Sequence, residues 1–94
     1  MNEEEARVAI KAIFYQAAFS AGLGVSKDSA ERWDHIVREN FDELNENNKP
    51  KAVAAILQII AESILYAKRN NLSKLTETSV DAGRNEVCPV FPFD

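Results

Sequence analysis

Residues 50–70 read PKAVAAILQIIAESILYAKRN. Written as a helix, this stretch has one continuous polar line, Lys51, Gln58, Glu62 and Arg69. Almost everything else around its girth is Ala, Val, Ile, Leu or Tyr. A surface helix shows one apolar stripe, whereas a helix apolar nearly all round is covered on most sides. The segment therefore needs more cover than a short chain readily supplies, and that requirement organises the rest of the fold.

The helix start is marked by Asn48-Lys49-Pro50, with Asn as N-cap and Pro inside the first turn. Lys68 and Arg69 suit the negative end of the helix dipole, and Asn70-Asn71 supplies a stop. Working backwards, Ala30, Trp33, Val37, Phe41 and Leu44 step by three or four and give one seam, widened by Ile36. The opposite face carries Glu31, Arg32, Asp34, His35, Arg38, Glu39, Asp42 and Glu43. Ser26 is a candidate N-cap for this helix, and Asp28-Ser-Ala-Glu31 is a competing capping box.

A further helix precedes it. Asn2 can cap it, with Glu3 to Glu5 in the first turn, and Ala6, Ile10, Ile13, Phe14, Ala17 and Ala21 recur at helical spacing. Gly22 and Gly24 end it. The expectation is an all-α fold: a small up-down-up three-helix bundle over residues 1–75, with helices at about 3–21, 27–45 and 50–70. Leu72 to Leu75 read as one added turn. Residues 76–94 lack helical periodicity, and Pro89 and Pro92 impose an extended path on a C-terminal tail rich in Pro and Phe. No internal repeat and no low-complexity tract is visible.

Ninety-four residues make one domain. Hydrophobic content of 46% and charged content of 28% are ordinary for a globular chain. The net charge of −4 disfavours a general nucleic-acid binder. Cys88 is the single cysteine, so neither a disulfide nor a CxxC site is supported, and it fits a reducing compartment. Glu3 to Glu5 stand where a secretory signal would need basic residues. Charged and polar residues interrupt 50–70 before a membrane span is reached. The expectation is a cytoplasmic protein that does not enter membranes.

No catalytic, metal or cofactor constellation stands out, so the reading is not an enzyme and needs no cofactor. His35 is the one histidine and has no nucleophile or second ligand in register. Glu39, Asp42, Glu43 and Glu46 form the densest acidic group, best read as a solvated helix face. The excess apolar surface instead implies association, most economically a homodimer that also meets an unidentified protein partner. Trp33, Phe41, Ile56, Ile60, Ile64, Phe91 and Phe93 are the expected interface anchors. The tail aromatics would fold back over the bundle, cross to a second subunit or dock on a partner. The matching function is a protein-protein interaction module acting by surface occupation, a class that includes phage or mobile-element inhibitors, immunity proteins and adaptors.

A second reading starts from Ser20 to Trp33, SAGLGVSKDSAERW. This stretch resembles the turn and recognition helix of phage-repressor-type helix-turn-helix proteins. The resemblance makes Gly24 the turn glycine, packs Leu23, Val25, Ala30 and Trp33 inward, and turns Lys27, Ser29 and Arg32 toward DNA. It implies a dimeric regulator reading paired half-sites. Asp28 and Glu31 on the same helix would present acid to phosphate.

Overall fold

The computed structural model describes residues 3–40 and 49–87. In chain order these form α1 (Glu3–Ser20), β1 (Gly24–Val25), α2 (Lys27–Asn40), α3 (Lys49–Arg69), β2 (Lys74–Leu75) and α4 (Glu77–Val87). The fold is all-α in character, with four helices among the described residues where three were expected. The fourth occupies the front of the stretch expected to be an extended tail. Residues 88–94, with Cys88, Phe91, Phe93 and both tail prolines, lie outside the described residues, as do Phe41, Asp42, Glu43, Glu46 and Asn48.

Local chemistry accounts for α4. Thr76 caps it: the Ser79 N–H donates to Thr76 Oγ1 (3.2 Å) and the Thr76 N–H donates to Ser79 Oγ (2.8 Å). This reciprocal pair satisfies two backbone donors at the helix start. Val80 and Val87, seven residues apart, are buried on one face, with Ser79 and Gly83. Gly83 lies on that face because there is no room for more. A methyl carbon there would fall 2.6 Å from the Ile59 carbonyl oxygen and 2.9 Å from the Ser63 nitrogen. The absent side chain lets α4 press onto α3.

The four helices form two halves built on one plan, so the repeat invisible in the residues exists in the backbone. α1 ends in a left-handed Gly22 (φ 76°), and α3 ends in a left-handed Asn71 (φ 57°). In each, the next leucine closes the helix: the Leu23 N–H donates to the Ala18 carbonyl and the Leu72 N–H to the Ala67 carbonyl, both at 2.9 Å. Gly22 and Asn71 donate to the carbonyls of Phe19 and Lys68, completing the same six-residue stop twice. Each stop runs into a two-residue strand, and each strand into a capped helix. Ser26 caps α2 as Thr76 caps α4, and Ser29 and Ser79 return their hydroxyls to the Ser26 and Thr76 carbonyls at 2.8 Å. Ser26 is thus the cap, in preference to the Asp28 capping box.

The strands join the halves. β1 and β2 pair in parallel, Gly24 beside Lys74 and Val25 beside Leu75. The Gly24 N–H donates to the Ser73 carbonyl (3.0 Å) and the Ser26 N–H to the Leu75 carbonyl (3.2 Å). Leu72 to Leu75, expected to add a helical turn, instead runs into β2 ahead of the capped α4.

The core is continuous across both halves. Ile10, Phe14 and Ala18 come from α1, Trp33, Ile36 and Val37 from α2, and Ala52, Ala55, Ile56, Ile59, Ile60 and Ala67 from α3. Leu75, Val80 and Val87 close it. Phe14 and Trp33 stack at its centre, with centroids 5.0 Å apart and planes 10° from parallel. The Trp33 indole N–H is buried without a hydrogen-bond partner.

Candidate functional site: a polar cleft and an apolar face

The side chains outside the core segregate sharply. On α2 and α4 they are polar. Between these helices lies a cleft of about 450 Å³ lined by Arg32, His35, Ile36, Glu39, Asp81, Arg84 and Asn85. Arg32 spans it: its guanidinium reaches Glu77 Oε1 at 2.5 Å and Asp81 Oδ1 at 3.3 Å. The hydrogen bond to Glu77, then the charge of Asp81, push the arginine above its ordinary pKa, so it stays cationic and locked. His35 Nε2 sits 3.0 Å from Glu39 one turn on, and both are well exposed. Arg38 pairs with Asp34 in the same way at 2.9 Å. These contacts are those of a solvated face in which cations are matched by carboxylates. Among the described residues no group of His, Cys, Asp and Glu is placed to hold a metal ion.

On α1 and α3 apolar residues stand outward among polar ones such as Lys11, Gln16, Lys51 and Gln58. The large exposed hydrophobic residues among those described are Val8, Ile13, Phe19, Val53, Leu57 and Leu65, all on these two helices. Val8 is 65% exposed and Phe19 62%; Leu57 is 48% exposed and Leu65 43%. Exposed Val8, Ala12 and Phe19 follow helical spacing on α1, with Tyr15 on the same line but partly buried against Phe14, and exposed Ala54, Leu57, Ala61 and Leu65 do so on α3. Val8 and Leu57, and likewise Ala12 and Ala61, hold equivalent places when the two helix stops are superposed. α3 is also long and apolar enough by composition to cross a bilayer, with 39% of its apolar window buried within the fold. Its polar line is on the wet side: Lys51, Gln58 and Arg69 are exposed, Glu62 half-buried, and Gln58 donates to Glu62 at 3.1 Å.

The expected anchor residues are distributed differently from this face. Trp33, Ile56 and Ile60 are buried in the chain's own core, and Ile64 is partly buried against it. Phe41, Phe91 and Phe93 lie outside the described residues. The DNA-facing trio is split too. Ser29 is fully buried and committed to Ser26, and Arg32 is committed to Glu77 and Asp81, leaving Lys27 exposed. Leu23 and Trp33 are buried as a helix-turn-helix would require, but a parallel strand pair stands where that motif has a simple turn. Sequence reasoning missed Val8, Phe19, Leu57 and Leu65. The available signal was their spacing; what hid them was that core and surface residues on α1 and α3 are equally apolar.

No protein-family model, no curated protein and no solved structure matches this chain.

Proposed function

We propose that this chain is a non-enzymatic protein-interaction module that associates with itself and works by occupying a macromolecular surface. The observation that supports this is the confinement of large exposed apolar residues to α1 and α3, while α2 and α4 turn charge outward. Contiguous apolar surface on a small domain marks an interaction site. The polar cleft supports no chemistry of its own, because its central cation is held by two carboxylates. The DNA reading keeps Lys27 alone from its proposed contacts.

Association that stabilises the fold makes the melting temperature depend on concentration. Thermal unfolding followed by circular dichroism from 2 to 200 µM protein, as the order of range required, tests this. The expected result is a midpoint that rises with concentration in the native chain and is constant in Leu57→Glu. A constant midpoint in the native chain overturns the reading.

A further inference from the structure

The apolar stripes of α1 and α3 are complementary to each other in spacing and in charge. Along α1, Glu4 stands one turn before Val8 on the line that continues through Ala12, Tyr15 and Phe19. Along α3 the line Ala54, Leu57, Ala61 and Leu65 ends at exposed Lys68. One stripe therefore begins with an acid and the other ends with a base. Laid antiparallel, Glu4 faces Lys68, Val8 faces Leu65, Ala12 faces Ala61, and Phe19 faces Ala54. Both stripes have alanine at the middle, where a close helix crossing needs the smallest side chains. Antiparallel packing also sets the positive N-terminal end of α1 beside the negative C-terminal end of α3, as it does for any antiparallel helix pair.

Resting on the self-association proposed above, we infer that the occupant of this face is a second copy of the chain, seated with α1 of one copy antiparallel to α3 of the other. The reciprocal contact, α3 of the first against α1 of the second, closes the assembly as a dimer. Like-with-like pairing is poorer. Two α1 stripes run antiparallel bring each Glu4 beside Phe19, and two α3 stripes bring each Lys68 beside Ala54 of the other helix. Alanine meets alanine at the middle of all three pairings, and only the mixed pairing also sets opposite charges, Glu4 and Lys68, against each other at its ends.

Cysteine crosslinking tests the pairing. Val8→Cys and Leu65→Cys are prepared separately, each with Cys88→Ser, mixed in equal amounts and oxidised mildly. Both sites are well exposed, so the fold tolerates them. The expected product is the mixed disulfide linking position 8 to position 65, identified by mass spectrometry of the joined peptides. Predominance of the 8–8 or 65–65 product overturns the pairing but leaves self-association standing; absence of crosslinks from a chain that sediments as a monomer overturns both. A charge exchange reads the same contact without cysteines. Glu4→Lys and Lys68→Glu each weaken the dimer several-fold, and the double exchange restores it; failure of restoration counts against the pairing. Flotation with neutral phosphatidylcholine vesicles by a chain that does not self-associate would assign the face to a membrane and overturn the inference.

Discussion

Phe14 and Trp33 stack face to face at 5.0 Å, and the places they hold in the first half of the fold are held in the second by Ser63 and Gly83. The backbone plan is repeated, but the packing inside it is inverted. One half separates its helices with two aromatic rings. The other brings its helices together until a hydrogen atom is the largest side chain that fits on α4. The Ser63 hydroxyl turns back to the Ile59 carbonyl at 2.7 Å, which keeps it satisfied in that tight crossing.

Gly83→Ala follows directly. In an open helix this change stabilises by about 1 kcal/mol. Here the added carbon meets backbone atoms of Ile59 and Ser63 that do not move away cheaply. Overpacking of this kind costs about 1–3 kcal/mol, so the sign reverses. Urea unfolding of the two proteins, compared at equal concentration, should show the variant less stable.

Phe14→Ala removes one partner of the aromatic stack from a fully buried site. Large-to-small changes at such positions cost about 3–5 kcal/mol. For a small domain this approaches the whole stability. The expected outcome is loss of the cooperative thermal transition and of the near-ultraviolet circular dichroism from Trp33.

The caps should behave as a matched pair. Ser26→Ala and Thr76→Ala each remove one acceptor for a helix-start N–H. Each should cost about 1 kcal/mol, with Thr76 costing no less than Ser26. Chemical denaturation of both variants checks this. A cost near zero at Thr76 would mean that α4 does not depend on its cap.

Arg32→Met should matter much less. The ion pairs to Glu77 and Asp81 are partly exposed, and surface pairs contribute roughly 0–1 kcal/mol, less as salt is added. The variant should unfold within about 1 kcal/mol of the native chain at moderate salt.

Much of the helical architecture is legible in the sequence. Helical spacing made α1, α2 and α3 legible as helices, and Ser26 caps α2 as its position suggested. α4 was missed because Gly83 reads as a breaker when its role is close packing, while the proline-rich residues after it coloured the whole segment as extended. The cue that was present is Thr76-x-x-Ser79 followed by valines seven apart. The strands were unreadable because two residues make no alternation, and their pairing joins positions fifty apart in the chain. The repeat was hidden for a third reason. Its halves share hydrogen bonds rather than side chains, and the second carries one additional residue between its leucine and its cap. For the interaction face, the apolar excess of 50–70 was legible, but which of its residues point outward depends on how α4 and α1 cover it. Ile56 and Ile60 turn in; Leu57 and Leu65 turn out.

The outward face of α1 and α3 is proposed to meet a second copy of the chain. Sedimentation equilibrium of the native protein at micromolar concentration, beside Leu57→Glu, measures this most directly. The expected result is a native mass of roughly twice the 10.5 kDa of one chain, and a monomeric, still helical variant. A native protein that sediments as a single chain across the whole concentration range would contradict it.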